Sequence, residues 1–292
     1  MITAHIQWRM SVARHDAGLG ADLRALLSQV HPVFMLPPVA ASLFGGVLAG
    51  AFDPRLAGIH ALAIFAAVYT AHVKDGYIDF YSRGEDDDHP MSEWGCRAAL
   101  LGSTTIFFAC LVALALLVDA VAALVTLPCW LIGYHHAPQL DTNPITTTTG
   151  YPAGIALALV GGFYVQATMF APVALAFGAV FLVLLSGVKV IDDMQDYEYD
   201  LSIEKRTVAV SLGPDRAMSL AYGLMLTALM LVLALAALGP FPPSSVVAVL
   251  AFAVVAGFAR RGDPEIATML LVRGCYVFLA VLVAAVWWQP LV

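Results

Sequence analysis

The order of apolar and polar positions divides the chain into long hydrophobic runs separated by short polar breaks. Many of the runs approach the roughly 20 residues that a helix needs to cross a bilayer. Strand-like alternation does not compete with this pattern, and the runs exceed the length of an outer-membrane barrel strand. The pattern therefore predicts an all-α polytopic membrane protein, a bundle of nine transmembrane helices. The nine runs are residues 31–51, 56–79, 97–118, 120–136, 150–169, 171–192, 217–239, 243–260 and 266–288.

Composition supports the same class. Of the 292 residues, 61% are hydrophobic and 12% are charged, whereas about a quarter of the residues in a soluble domain are charged. We expect residues 1–292 to form a single transmembrane domain. Residues 1–30 are more polar and mix apolar with basic side chains, which is typical of a cytoplasmic segment that can form an interfacial helix.

The basic residues predict an orientation. If the N-terminus lies inside, thirteen of the fourteen Lys and Arg residues fall on that side, and Arg55 alone lies outside. Positively charged flanks tend to stay in the cytoplasm. We therefore predict an integral protein of the plasma (cell) membrane with a cytoplasmic N-terminus. The net charge of -7 comes largely from two local clusters, and no nucleic-acid partner is expected.

Two acidic clusters lie at the ends of the second and sixth runs, on the predicted cytoplasmic side. Residues 75–93 hold seven of the 21 acidic residues, and residues 192–204 hold six. Carboxylates are costly to hold near hydrocarbon, so each cluster needs a compensating cation or a function. In KDGYIDFYSRGEDDD and KVIDDMQDYEYD the aspartates recur at i and i+4, which places them on one face of a helix.

Facing carboxylates repel one another unless cations lie between them, and hard oxygen ligands suit Mg²⁺, which shares its coordination shell with substrate phosphates. The clusters therefore predict a magnesium and phosphate site. The candidate metal ligands are Asp75, Asp79, Asp192, Asp193, Asp196 and Asp200, and the candidate catalytic residues among them are Asp75, Asp79, Asp192 and Asp196.

Simpler interpretations stay open at this point. Lys74 can be a salt-bridge partner of the first cluster and nothing more. Lys189, one turn before Asp192, can neutralise the second cluster or bind a phosphate oxygen. Ionisable groups at helix ends also mark ion-coupled transporters, although transporter sites tend to lie near the bilayer midplane.

The stretch DDMQDYEYDLSIEKRTVAVSLG, residues 192–213, resembles the second aspartate motif of the UbiA superfamily of intramembrane prenyltransferases. The family's first motif, NxxxDxxxD, falls at the end of its second helix. There Asp75 takes the Asn position, Asp79 the central Asp, and Arg83 the place of the third Asp. In the loop YHHAPQLDTNP, Tyr134 matches the family pattern, but polar and acidic residues stand where basic ones are usual.

This resemblance implies nine transmembrane helices around an apolar chamber that faces the cytoplasm, with Mg²⁺ as cofactor. The substrate is then an isoprenyl diphosphate, which ionises to an allylic carbocation. The cation is transferred to a hydrophobic, uncharged acceptor lipid or isoprenoid, and membrane lipids surround the protein. The alternative within the superfamily is an intramembrane class I terpene cyclase. The implied diphosphate-binding residues are Lys74, Arg83, Lys189, Lys205, Arg206 and Tyr134. The aromatic candidates for stabilising the carbocation are Tyr77, Phe80, Tyr81, Tyr164 and Tyr197.

Overall fold

In the part of the chain that this computed structural model describes, residues 11–202 and 205–288, the regular secondary structure is helical, and one isolated bridge joins Ala13 and Met91. The prediction of an all-α protein is confirmed for these residues. Two π-helical turns, Ile78–Arg83 and His136–Leu140, and a 3-10 turn, Pro243–Ser245, extend or join helices. The helices are α1 (Leu19–Leu27), α2 (Pro32–Leu48), α3 (Pro54–Tyr77), α4 (Glu93–Leu117), α5 (Ala120–His135), α6 (Pro144–Ala167), α7 (Pro172–Asp193), α8 (Tyr197–Ser202), α9 (Val208–Leu212), α10 (Pro214–Leu238), α11 (Val246–Ala259) and α12 (Pro264–Trp288).

Each of the nine predicted runs overlaps one of the longer helices, but fewer helices qualify as membrane spans by length and composition. Within the described residues six do so: Pro54–Arg83, Glu93–Leu117, Ala120–Leu140, Pro172–Asp193, Pro214–Leu238 and Glu265–Ala285. Helices α1 and α2, bent by 69° at their junction, pass the same test as a broken pair. Helix α11 has only 14 residues, and α6 begins with a run of threonines. The count of nine spans stays a prediction.

Polar residues at the breaks between apolar runs form the helix N-caps. The Asp53 side chain accepts hydrogen bonds from the backbone N–H groups of Arg55 at 2.8 Å and Leu56 at 3.3 Å. Asp119 caps α5 and Asn143 caps α6 in the same way. These side chains satisfy backbone donors that have no partner inside the helix. The helix starts can therefore be traced to single polar residues in the sequence.

Helices α2 and α6 pack closely because each has glycine at the contact. A Cβ atom on Gly45 would lie 2.0 Å from the carbonyl oxygen of Leu159, and one on Gly162 would lie 2.0 Å from that of Ser42. Small residues allow such close approach between helix backbones. Nearer the other end of α6, the Tyr151 hydroxyl donates to the backbone carbonyl of Phe34 at 2.8 Å. This contact brings two aromatic side chains to the edge of the site described below.

The N-terminal segment is joined to the loop that follows the first acidic cluster. The backbone N–H of Ser92 donates to the Val12 carbonyl at 2.8 Å, and that of Arg14 donates to the Pro90 carbonyl at 3.0 Å. In α1, alanines are buried and leucines such as Leu19 and Leu23 are exposed, by 84% and 58%. An interfacial helix therefore stays a prediction for α1, and residues 1–10 lie outside the described part of the chain.

Candidate functional site

A cavity of about 230 Å³ lies between α2, α3, α5, α6 and α7. Helix α3 contributes a continuous face to it, because its lining residues recur every three or four positions. These residues are Ile64, Ala67, Val68, Ala71, His72 and Asp75. The eleven-residue step from Ile64 to Asp75 corresponds to roughly 16 Å of helix rise. The cavity is therefore elongated along α3.

The two ends of this cavity differ in chemistry. Ile64, Pro38, Cys129 and Ile155 line an apolar part, and the other end contains a cluster of ionisable groups. Asp75 at the end of α3 and Asp192 at the end of α7 both line the cavity, so residues of the two acidic clusters share one site. The ionisable lining residues are His72, Asp75, His136, Lys189 and Asp192.

Lys189 neutralises the second acidic cluster. Its Nζ lies 2.7 Å from Asp192 Oδ2 and 2.7 Å from Asp193 Oδ1. The Asp193 side chain is only 5% exposed, and its Oδ2 has no hydrogen-bond partner. Of the two uses that the sequence leaves open for Lys189, charge neutralisation is the one observed. The buried Asp193 depends on this ammonium group.

The helical spacing predicted for Asp192, Asp196 and Asp200 is wrong beyond Asp193. Helix α7 ends there, a turn follows, and α8 begins at Tyr197. Adjacent carboxylates at a helix C-terminus oppose the negative end of the helix dipole, which disfavours continuing the helix.

The interruption changes the surroundings of the later aspartates. Asp196 is exposed in the turn, whereas Asp200 is buried, with Lys205 Nζ 3.7 Å from its Oδ1. Burial raises the pKa of the Asp200 carboxyl above its ordinary value, against the lowering effect of Lys205. Arg206 is exposed beside Lys205.

Arg83 occupies the centre of the first acidic cluster. After Tyr77 the chain changes to a π-helical turn, which ends at Gly84 in the left-handed conformation, with φ of 65°. From this turn the guanidinium reaches Asp141 Oδ2 at 2.7 Å, Asp79 Oδ1 at 3.5 Å and Glu85 Oε1 at 3.6 Å. Asp141, at a position where the motif would carry a basic residue, is thus the closest of the three carboxylates to Arg83.

Lys74 and Tyr134 interact with each other. The ammonium lies 4.1 Å from the centroid of the Tyr134 ring and donates to the Tyr134 carbonyl. It also lies 3.5 Å from Gln139 Oε1. Lys74 forms no ion pair with Asp75 or Asp79 in the described structure, so it is not their salt-bridge partner there. Lys74 instead contacts the C-terminal end of α5 and the π-helical turn that follows it.

The short helix α8 approaches the first cluster, which the sequence did not indicate. Burial, and next the charges of Glu85 and Asp79, raise the pKa of the Tyr199 hydroxyl above its ordinary value. The Tyr199 hydroxyl therefore lies near enough to these carboxylates for their charges to affect its pKa. This proximity and the shared cavity are what the predicted convergence of the clusters requires.

The aromatic residues of the cavity differ from those predicted. The prediction that Tyr164 stabilises the carbocation is wrong. Its hydroxyl donates to Asp119 Oδ2 at 3.0 Å. Tyr164 also lies roughly 20 Å of helix rise along α6 from Tyr151, which lines the cavity. Tyr77, Phe80, Tyr81 and Tyr197 are likewise absent from the cavity lining among the described residues. The aromatic lining residues are Phe34 and Tyr151, with ring centroids 6.4 Å apart.

The site fits Mg²⁺ in a restricted way. Among residues 11–202 and 205–288, no group of three or more His, Cys, Asp or Glu side chains is arranged to hold a metal ion. Asp75 and Asp192 nevertheless place two carboxylates at one end of the cavity. Mg²⁺ is commonly bound by one or two carboxylates, with water and substrate phosphates completing its coordination. The residues present therefore suit a metal that is bound together with a phosphorylated substrate.

Comparison with known proteins gives matches among solved structures. No protein-family model matches the sequence, and the curated proteins contain no significant match. A structure of digeranylgeranylglyceryl phosphate synthase has a TM-score of 0.70 at 14% identity, over 91% of this chain and 98% of that one. A UbiA homologue from Archaeoglobus fulgidus, bound to GPP and Mg²⁺, has a TM-score of 0.65 at 15% identity, over 92% and 100% of the two chains.

A third structure, an apo UbiA homologue from Aeropyrum pernix K1, has a TM-score of 0.61 at 15% identity, over 85% of this chain and 97% of that one. At such low identity these likenesses concern the fold. The resemblance noted from the aspartate motifs is confirmed at that level. The chain has the fold of the UbiA homologues.

Proposed function

We propose that this protein is a Mg²⁺-dependent integral-membrane prenyltransferase of the UbiA superfamily, which transfers the prenyl group of an isoprenyl diphosphate to a hydrophobic, uncharged acceptor. The observation that carries the proposal is the cavity itself: Asp75, Lys189 and Asp192, together with two histidines, lie at one end of an elongated space whose other end is apolar. An isoprenyl diphosphate has the same division into a charged head and an apolar tail. The GPP and Mg²⁺ bound to the A. fulgidus homologue support this assignment.

In this proposal the diphosphate lies at the ionisable end of the cavity. Asp75 and Asp192 would hold Mg²⁺, which would supply the positive charge that makes the diphosphate a better leaving group. Lys189 then donates to a phosphate oxygen while it still neutralises Asp193. None of the other predicted site residues lines the cavity in the described part of the chain, and their contacts with metal or diphosphate stay predictions. These residues are the predicted metal ligands Asp79, Asp193, Asp196 and Asp200 and the predicted phosphate contacts Lys74, Arg83, Lys205, Arg206 and Tyr134.

The apolar part of the cavity receives the prenyl tail along the face of α3, between Ala71 and Ile64. Its lining excludes water, which would otherwise capture the allylic carbocation after the carbon–oxygen bond breaks. Phe34 and Tyr151 line the cavity together with Lys189. Their π faces stabilise a positive charge that develops nearby.

A second, smaller space of about 60 Å³ supports transfer to an acceptor. It shares Phe34, Tyr151, Lys189 and Asp192 with the main cavity and extends beside Val272 and other residues of α12. Two spaces that meet at the same charged groups suit two substrates, whereas a cyclisation needs only one.

The acceptor is proposed to be uncharged because the nearby cations already have partners. Lys189 is paired with Asp192 and Asp193, and Arg83 with Asp141. Lys74 is held by the Tyr134 ring. Since Lys189 is also proposed to bind the donor diphosphate, none of these groups is left free to bind an anionic acceptor as well.

The test uses purified protein in detergent with Mg²⁺ and geranyl diphosphate, with and without a lipid extract as the source of acceptor. Diphosphate release that requires the extract, together with a prenylated lipid seen by mass spectrometry, is expected for transfer. A cyclic hydrocarbon or alcohol formed without extract would instead identify a terpene cyclase. Absence of Mg²⁺-dependent diphosphate release with any prenyl donor, together with ion flux in liposomes, would support a transporter and overturn the proposal.

The proposed orientation puts the N-terminus and both acidic clusters on the cytoplasmic side of the cell membrane. Cysteine introduced at exposed Asp196 is expected to react with an impermeant maleimide only in inside-out vesicles. Cysteine introduced at Arg55 serves as the matched control and is expected to react only from the opposite side. The reverse labelling pattern would show that the topology is inverted, and it would leave the proposed chemistry unchanged.

A further inference from the structure

Three carboxylates from separate positions meet around Arg83. Asp79 belongs to the same π-helical turn, Glu85 follows it directly, and Asp141 comes from the loop after α5. The side chains of Arg83 and Asp79 are each 24% exposed, and those of Glu85 and Asp141 are only 14% and 8% exposed. The group is therefore largely shielded from water, so its charges must be compensated mainly within the protein.

A single cation position is central to this arrangement. Carboxylates that surround one position destabilise one another's charged forms unless a positive charge lies between them. Arginine suits that position because its planar guanidinium has five donors and keeps its charge at all accessible pH values. One oxygen remains in need of a partner, since Asp141 Oδ1 is buried without a hydrogen bond while Oδ2 contacts Arg83.

We infer that Arg83 is the built-in cation of the first acidic cluster: it occupies the place between Asp79, Glu85 and Asp141 that a divalent metal ion would otherwise take. If the proposed function holds, metal binding is then confined to the Asp75–Asp192 end of the cavity. Asp79 becomes a positioning residue that acts through Arg83. This assignment replaces the role of metal ligand that the sequence predicts for Asp79.

Charge accounts for the exclusion of a metal ion. A dication that approached the same carboxylate oxygens would lie within a few ångströms of the guanidinium, and like charges at that distance repel strongly where water is scarce. Replacing Arg83 by a neutral side chain of similar size would leave three carboxylates, one of them with an unpaired buried oxygen, around the vacated position. Such a set of oxygen ligands attracts a hard divalent cation.

The test counts metal ions and does not depend on turnover. Mn²⁺ replaces Mg²⁺, and the free ion is measured by electron paramagnetic resonance during titration of the purified full chain without substrate. Arg83→Gln is expected to bind one more Mn²⁺ per chain than the unmodified protein. Arg83→Lys, which retains the charge, is expected to bind the same number as the unmodified protein. The matched control is Arg97→Gln, which removes an exposed arginine paired with Glu93 at 2.5 Å.

Equal Mn²⁺ numbers for the unmodified protein and a folded Arg83→Gln variant would overturn the inference. The further change Asp141→Asn, made together with Arg83→Gln, is expected to abolish the additional ion, and its persistence would also count against the inference.

If Arg83→Gln does not fold, the Asp79→Asn variant tests the inference instead. That variant is expected to keep the Mn²⁺ number of the unmodified protein, and loss of an ion would overturn the inference. An added ion in Arg83→Gln would support the role of Arg83 even if the unmodified protein binds no Mn²⁺ without substrate, since the Asp75–Asp192 site is proposed to hold its metal together with the diphosphate.

Discussion

Gly154 provides a direct test of where the prenyl tail lies. This residue of α6 lines the cavity, and a Cβ atom built on it would meet no other atom within 4 Å. Its carbonyl oxygen lies 3.9 Å from the sulfur of Cys129, which lines the cavity from α5. Cys129 lies seven residues before His136, which is at the ionisable end of the cavity. This spacing corresponds to roughly 10 Å of helix rise, so Gly154, which contacts Cys129, lies about that far from the ionisable end. A side chain added at Gly154 would therefore reduce the space for the far part of the tail.

The variant Gly154→Leu is expected to discriminate against long donors. Each methylene that can no longer be buried costs about 0.8 kcal/mol. Exclusion of a few carbons corresponds to about 1–3 kcal/mol, or roughly a 10–200-fold fall in kcat/KM. We expect this fall for farnesyl diphosphate, with a smaller effect on geranyl diphosphate and little effect on dimethylallyl diphosphate. Helix stability should not decrease, since leucine favours helix over glycine by somewhat less than about 1 kcal/mol.

The assay compares kcat/KM for these three donors at a fixed acceptor concentration. Gly102→Leu is the matched control, because Gly102 is exposed on α4 and also has no atom within 4 Å of its built Cβ. It is expected to leave the donor profile unchanged. An equal loss with all donors in Gly154→Leu, or no loss at all, would refute a tail that extends along α3 past this position.

Three further predictions concern charge. Asp75→Ala is expected to reduce Mg²⁺-dependent diphosphate release by at least about 100-fold, beyond the 10–100-fold typical of groups that only support a metal ligand, and an unchanged Mg²⁺ titration would contradict this. Lys189→Met leaves buried Asp193 unpaired and is expected to destabilise the protein by about 3–5 kcal/mol, measured as thermal unfolding in detergent. Adding Asp193→Leu should restore stability but not geranyl diphosphate binding, and restored binding would mean that Lys189 only neutralises Asp193. Burial lowers the pKa of His89 below 6.5, so the folded state favours the neutral ring, and stability present above pH 6.5 should fall as the pH drops below that value. His89→Gln should reduce this pH dependence of unfolding, and an identical pH profile would refute it.

Local signals in the sequence predicted much of the fold. The breaks between apolar runs contain Asp53, Asp119 and Asn143, and each of these side chains caps the helix that follows. The clusters at Asp75 and Asp192 could be recognised because carboxylates are rare and costly beside apolar segments. Both line one cavity. These features depend on residues that are close together in the sequence, so a single sequence is sufficient to indicate them.

The pairings between distant residues could not be predicted in this way. Arg83 contacts Asp141, and Tyr151 donates to the backbone of Phe34, across loops whose geometry is set by helix packing. The hydrophobic periodicity of a single sequence does not indicate which distant residues come into contact. The interruption of the helix after Asp193 was also missed, because the i and i+4 spacing fits a helix that the accumulated negative charge disfavours.

The internal ion pairs have a consequence for how a donor would bind. In the structure, Lys189 already neutralises Asp192 and Asp193, and Arg83 already lies among the first-cluster carboxylates. A diphosphate that enters must therefore compete with protein carboxylates for these cations. In the proposed function, Asp75 and Asp192 would hold Mg²⁺, and its charge would release part of the Lys189 charge for the phosphate while Asp193 kept the rest. Donor and metal are then expected to bind with positive cooperativity, each raising the affinity of the other by the same factor. Calorimetric titration of geranyl diphosphate at several Mg²⁺ concentrations measures this factor, and a donor affinity independent of Mg²⁺ would show that Lys189 remains fully paired with its carboxylates.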